Sequence, residues 1–383
     1  MKSVNHLICI FVLSLVFACG GGSDSEPEIP IEPPPPPLTR SFKMGFTPWV
    51  FDATLAAFDT TYTRLSTHGD IIKHHLEGGI PWQEALDSTD YHDNVEAEIN
   101  DRLTRTAVGM DIFLAIDAIN SGRDSLTDNW SENTGEARSG DWVDRSWGSP
   151  EVITAYTNFA IDMINRFQPT HFEYGTEASE LLLNDPVGFA EFVIFANAVY
   201  TSLSALYPDL KLMTSVSLKT PGNAEMQLIE AGFSPLMAFT DVLGISVYPY
   251  AFFEHADKGD PANLPSNWLT QASNIAGSKP MAISETGWIA EDLEISDFQY
   301  SETSDSTKQY LYLLELLEDS QVENMEFVIW WTVTDFDELW NGLLAQDPTA
   351  KIWKDIGLYD ENQQPRDALN LWDEWLGYDY QSD

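Results

Sequence analysis

Cysteine is almost missing from this chain. Its two copies, Cys9 and Cys19, both lie near the N-terminus. A domain built from the remainder holds no disulfide, no zinc–thiolate site and no cysteine nucleophile. Positive charge is scarce as well: 19 Lys and Arg stand against 61 Asp and Glu, a formal net charge of −42. Such a chain repels nucleic acid and anionic membrane surfaces, and it suits a salty medium that screens its self-repulsion. A polyanionic substrate is disfavoured for the same reason. No Gly-rich phosphate turn follows an early strand, and there is no His-Glu-x-x-His, no Asp-x-Asp-x-Asp-Gly calcium loop and no Gly-x-Ser-x-Gly elbow. No cofactor and no metal site is expected. Asp335, Asp337 and Glu338 have the chemistry to hold a cation, but a solvated acidic rim accounts for them with fewer assumptions.

What is present starts with a processing segment. Lys2 precedes an apolar run over residues 7–17, closed by Val16-Phe17-Ala18-Cys19. The run is too short for a comfortable membrane span. It resembles a bacterial lipoprotein signal, which implies acylation of Cys19 as the new first residue and loss of Cys9. Gly20, in place of Asp, then implies sorting to the outer membrane, with the domain on its periplasmic or cell-surface face. The alternative is an ordinary secretory signal cut nearby. Residues 1–18 are thus read as signal. Residues 19–40 are read as a Gly/Ser- then Pro-rich tether that cannot bury a core, and 41–383 as one domain, expected to be monomeric.

Within that domain short apolar runs alternate with longer amphipathic ones. Strands are expected at 42–47, 70–76, 111–116, 171–176, 212–217, 242–247, 281–284 and 327–332. Helical patterns lie between them, at about 52–66, 83–106, 150–167, 186–207, 223–231, 265–276, 304–320 and 366–376. Eight strand-then-helix units predict an α/β fold, a closed (β/α)₈ TIM barrel. An open doubly wound sheet is the alternative, weakened by the missing phosphate turn.

The strand tips are rich in acidic and aromatic residues. Trp49, Trp82, Trp288, Trp330 and Trp331 follow strand ends, as does Tyr248 in Tyr248-Pro249-Tyr250. Aromatic faces at a cleft rim stack on the C–H faces of sugars. The third strand is followed by a long insertion over residues 117–149 that holds Trp130, Trp142 and Trp147. A loop of that length is usually functional or disordered, and three tryptophans argue against disorder.

Two carboxylates carry the chemistry. Glu285 closes the seventh strand in Met281-Ala282-Ile283-Ser284-Glu285-Thr286-Gly287-Trp288, and Glu177 closes the fourth in His171-Phe172-Glu173-Tyr174-Gly175-Thr176-Glu177. Strands four and seven face each other across an eight-strand ring. A carboxyl pair in that position is the minimum apparatus for cleaving a glycosidic bond, with Glu285 as nucleophile and Glu177 as acid/base, the acid's pKa raised by its partner's charge. Tyr248 is placed to donate to Glu285. Glu180 is the rival for the acid role.

In order and spacing these motifs resemble glycoside hydrolases of clan A, and most nearly the family 53 arabinogalactan endo-β-1,4-galactanases. Asp241-Val242-Leu243-Gly244-Ile245-Ser246-Val247-Tyr248-Pro249 is similar to that family's Asp-x-Ile-Gly-x-Ser-x-Tyr-Pro. Tyr174-Gly175-Thr176-Glu177 is similar to its Val-Gly-Asn-Glu, and Ser284-Glu285-Thr286 to its nucleophile segment. The resemblance implies a retaining hydrolase of β-linked poly- or oligosaccharides, galactan first and mannan or glucan next. It also implies an Arg near the second strand, for which Arg64, His74 and His75 are candidates, His75 being preferred as a substrate contact. Thr176 departs from the pattern: the clan's Asn at this position holds the sugar 2-hydroxyl, and Thr has a shorter reach. A barrel that binds glycans without cleaving them is the alternative function.

Overall fold

The apolar runs become a ring. In the computed structural model, which describes residues 38–381, the strands are β1 (Lys43–Phe46), β2 (Ile71–Leu76), β3 (Asp111–Ile116), β4 (His171–Gly175), β5 (Lys211–Ser217), β6 (Val242–Val247), β7 (Met281–Thr286) and β8 (Phe327–Trp330). They pair in parallel in chain order, and β8 closes onto β1 through Phe327 opposite Lys43 to Trp330 opposite Phe46. Each lies within about two residues of the expected run. Parallel strands covered on both faces read as continuous apolar stretches, which is why they are visible in sequence. The signal, Cys19 and most of the tether lie outside the described residues.

Around the ring lie α1 (Leu55–His68), α2 (Trp82–Asp87), α3 (Asp93–Arg105), α4 (Pro150–Phe167), α5 (Ala178–Asn184), α6 (Pro186–Leu206), α7 (Ala224–Gly232), α8 (Ser306–Val322) and α9 (Asp367–Leu376). α4 has Pro150 in its first turn and ends at Gln168 in the left-handed region. The fold is a (β/α)₈ barrel.

Three expectations need correction. The helix expected over 83–106 is two, α2 and α3, because Ser88 takes a left-handed conformation (φ 55°) and His92 caps a new start. The helix expected over 265–276 shrinks to one-turn pieces, Thr270–Ala272 and Ser273–Ala276. A small antiparallel ribbon, Leu293–Ile295 with Tyr300–Glu302, was not expected at all.

The barrel interior is layered. Ile71, Phe113, Ala115, Met213, Val242, Ala282, Phe327 and Ile329 form an apolar plug toward the strand starts. Above it the inward positions turn polar, with Lys73, Glu173, Ser215 and Ser284 all buried. The insertion over residues 117–149 is folded onto the outside of this mouth. Trp142 stacks on Trp82 at 5.4 Å, and Trp147 donates from Nε1 to the Ala118 carbonyl at 3.1 Å. Trp130 packs edge-on against Phe159 of α4. These three tryptophans anchor the loop, and none is more than 7% exposed.

Candidate functional site

Inward positions on a strand recur every second residue. On β2 this sends Lys73 and His75 to the axis and His74 to the helices, where His74 meets Thr106 at 2.8 Å and the Phe167 ring. On β7 the inward positions are Ala282 and Ser284, so alternation alone turns Glu285 outward. It does not point outward. Ile245 pairs with Ile283 but Ser246 pairs with Glu285, and this one-residue bulge re-aims the carboxylate.

Once inside, Glu285 is held from two sides. Tyr248 donates from its hydroxyl to Oε1 at 2.8 Å, and the Lys73 ammonium donates to Oε2 at 3.1 Å and to the Ser284 carbonyl at 3.2 Å. Lys73 is fully buried. Burial by itself would lower its pKa, but Glu285 and then Glu173 outweigh burial and hold it above its ordinary value. Burial and then the Glu285 charge push the Tyr248 phenol far up, so it remains a donor.

Glu177 lies just past β4 and immediately before α5. Its backbone is left-handed (φ 49°, ψ 40°), a conformation that costs energy for a residue with a β-carbon and that clusters at functional sites. Its amide donates to Ser215 Oγ at 2.8 Å, which ties the strand end down. Its carboxylate accepts from Ser246 Oγ at 2.7 Å on Oε1 and from Arg123 Nε at 3.1 Å on Oε2. Arg123 also donates to Asp117 Oδ2 at 3.1 Å. Burial works to raise the Glu177 pKa, but Arg123 and the Ser246 hydrogen bond carry it below the ordinary carboxylate value. The expected raised pKa is therefore corrected: the insertion brings a cation to this acid from 54 positions away in sequence.

Behind Arg123 sits His75, with Nε2 at 3.1 Å from Asp117 and Nδ1 at 2.8 Å from Glu77. Burial would lower its pKa, but Asp117 and Glu77 hold it at about 10, an imidazolium at neutral pH. Asp117 is in turn held well below the usual range: burial opposes this, and His75, Arg123 and the Thr176 hydroxyl outweigh it. Thr176 is 4% exposed, and its hydroxyl is enclosed beside Asp117 rather than open to the cleft.

Other candidates fall elsewhere. Trp82, Trp288 and Trp330 cannot be sugar platforms, because each ring is fully buried. Trp82 lies under the insertion, Trp288 stacks on Tyr312 at 4.6 Å, and Trp330 donates to the Ile356 carbonyl at 2.7 Å. Trp49 and Trp353 are partly exposed, and the nearly buried Trp331 bridges them, 4.9 Å from Trp49 and 5.7 Å from Trp353, which stands 5.9 Å from Tyr248. Arg64 lies over the Tyr359 ring and bonds Thr334 and Gln363, away from the carboxylate pair. Glu180 is paired with Lys219 at 2.7 Å. Asp335 is not on a solvated rim either: it is 1% exposed and paired with Arg366 at 2.7 Å. Asp337 and Asp355 share Lys354.

Sequence reasoning missed Lys73, Asp117, Arg123, Ser215, Ser246 and Trp353. Lys73 had a signal, a lone ammonium inside an apolar strand two residues before His75. Ser246 had one too, two residues before Tyr248 on the same face. Arg123 and Trp353 had none, since only tertiary packing brings them here.

No family model and no curated protein matches the chain. Solved structures do. An exo-β-1,4-mannosidase from an Opitutaceae bacterium (strain TAV5) superimposes with TM-score 0.58 at 11% identity, over 88% of this chain and 59% of that one. Native xylanase 10B from Thermotoga maritima gives 0.56 at 11% identity, over 88% and 95%. The GH53 catalytic domain from Ignisphaera aggregans gives 0.51 at 14% identity, over 81% and 85%. The chain thus spans less than two thirds of the mannosidase's length, and at these identities what it shares with all three is the closed eight-strand barrel.

Proposed function

We propose that this chain is a retaining glycoside hydrolase acting on a β-linked polysaccharide or oligosaccharide. One observation carries the reading. Two partly exposed carboxylates at the ends of β4 and β7 are held from the end of β6 between them, Glu177 by Ser246 and Glu285 by Tyr248. In this reading Glu285 attacks the anomeric carbon while Glu177 protonates the departing oxygen. Glu177 then takes a proton from the water that breaks the glycosyl–Glu285 ester, giving net retention, the outcome for carboxyls about 5–5.5 Å apart. Support comes from the shared barrel, since the neighbours' names are those of a β-1,4-mannosidase and a xylanase. Galactan is the lead substrate because of the Gly244-Ile245-Ser246-Val247-Tyr248-Pro249 motif, with other β-glycans next. Reducing-end release from defined galactan, mannan, xylan and glucan oligomers, with the first-formed anomer read by NMR, tests this. Inversion of the anomer, or no release from any oligomer, sinks it.

A second reading is favoured by the Arg123–Glu177 pair and by Thr176. An acid held ionised, with no amide beside it, suits a barrel that binds glycans without cutting them. That protein retains oligomers and liberates no ends.

The Arg123 contact makes its own prediction. The acid must be protonated in the first step, and Arg123 lowers its pKa. In an Arg123→Gln variant burial dominates and the pKa rises, so the alkaline limb of kcat/KM against pH is expected to move to higher pH. An unmoved limb would show that the acid is not Glu177.

The proposed address is the outer membrane, through acylated Cys19. A Cys19→Ala protein is expected in the soluble fraction after cell breakage; recovery with membranes would remove the anchor.

A further inference from the structure

Below the two acids a third carboxylate has no role in the chemistry so far. Glu173 lies on β4, four residues before Glu177, and is fully buried together with Lys73 and Ser215. Neither of its oxygens has a hydrogen bond of its own among the described residues. A buried carboxylate in that state is costly unless a cation stands beside it. Burial pushes the Glu173 pKa up, and Lys73 leads the groups that oppose this, followed by the Ser215 hydroxyl and His75. Lys73 in turn serves two acids. Of its three donors, one goes to Glu285 Oε2 at 3.1 Å and one to the Ser284 carbonyl at 3.2 Å. The Phe113 ring stands 5.4 Å from its nitrogen. One ammonium for two buried carboxylates is a surplus of negative charge, and the surplus needs a reason.

The reaction itself supplies one. In the first step a Glu285 oxygen bonds to the anomeric carbon, the glycosidic C–O bond breaks, and Glu177 gives its proton to the departing oxygen. Glu285 is then an ester and carries no charge. The anions that bear on Lys73 are Glu285, then Glu173, then Asp117. With the first neutralised and Asp117 taken by His75 and Arg123 at 3.1 Å each, Glu173 is left. His75 is a like charge and acts against Lys73. Resting on the hydrolase reading, we infer that Glu173 is a positioning residue, the standing counter-ion that keeps Lys73 an ammonium, and in place, while Glu285 is esterified. A buried lysine with no anion gives up its proton. The second step needs that proton kept. Water bonds to the anomeric carbon and passes a proton to Glu177, and the ester C–O electron pair returns to Glu285. The negative charge that reappears there is met by the ammonium already waiting for it.

The test separates the two steps. Dinitrophenyl β-glycosides of galactose, mannose, xylose and glucose, and of their β-1,4-linked dimers, carry a leaving group that needs no proton. That speeds the first step and exposes the second. On whichever of them wild type cleaves, Glu173→Gln is expected to lower kcat by about tenfold or more. This is less than the about 10²–10³-fold cost of losing a donor that meets the developing charge directly, because Glu173 acts through Lys73. KM is expected to fall in step, leaving kcat/KM within about threefold of wild type, with a burst of dinitrophenolate as glycosyl-enzyme builds up. Glu173→Asp keeps the anion and is expected to recover part of kcat. A purely structural defect instead lowers kcat and kcat/KM together, with KM unmoved and no burst. That result, or an unchanged kcat, overturns the counter-ion. Should Glu173→Gln not fold, wild type gives the answer. With Glu285 trapped as the ester of a 2-fluoro glycoside, nitrogen-15 NMR of the Lys73 side chain at neutral pH is expected to show an ammonium, and an amine overturns the inference. Release of no dinitrophenolate by wild type removes the hydrolase reading and this inference with it, a result distinct from release without the split.

Discussion

A Glu285→Gln variant is expected to lose glycan release by about 10³-fold or more while still retaining oligomers. The amide keeps the size of the acid and still accepts from Tyr248, whose hydroxyl lies 2.8 Å from Oε1. It has no anionic oxygen to form the glycosyl ester. Release in the variant at the parent's rate would remove the nucleophile assignment. The companion change separates the two roles. Glu177→Gln is expected to cost about 10²–10⁴-fold on natural glycans, the usual worth of a positioned acid. It should cost far less on 4-nitrophenyl glycosides, whose leaving group needs no proton. Equal losses on both substrate types would mean that Glu177 does something other than donate a proton.

The second large effect is on stability. Lys73 is fully buried, with Glu285 at 3.1 Å and Glu173 also bearing on it from β4. Lys73→Met leaves buried carboxylates without their cation, a loss of about 3–5 kcal/mol for a broken buried pair. Against a typical total of about 5–15 kcal/mol that is about a fifth or more, so a clear fall in urea midpoint is expected. Adding Glu173→Gln removes one stranded charge and should restore part of the loss, since contacting sites are not additive. The parent's pH dependence follows the same logic. Lys73 has its pKa raised by folding, so its contribution is complete below the ordinary lysine value and fades as pH climbs past it. A Lys73→Met protein as stable as the parent would mean that the charge is solvated in some way the buried site does not show.

The barrel was legible in the sequence because its strands are buried on both faces, and such runs stay apolar wherever the helices fall. The two acids were legible because each ends such a run. What was not legible depends on partners far apart in the chain. Trp82, Trp288 and Trp330 follow strand tips like Trp49, but the ring's direction is set by Trp142, Tyr312 and the Ile356 carbonyl, none of them a sequence neighbour. The sign of the Glu177 shift turned on Arg123, which occupies a left-handed position (φ 54°) in the insertion. The choice of His75 over His74 needed only the two-residue alternation of β2. Reading Lys73 as its companion on the same face needed no more.

Ser246 lies in β6 and Tyr248 just past its end, two positions apart, and each grips a different acid. Both acids are therefore anchored from one three-residue stretch of backbone rather than from separate loops. The surrounding loops are free of that duty. Sugar preference can drift through changes around Trp49, Trp331 or Trp353 while that anchorage stays fixed, so new specificities are best sought by regrafting the rim and leaving the end of the sixth strand untouched.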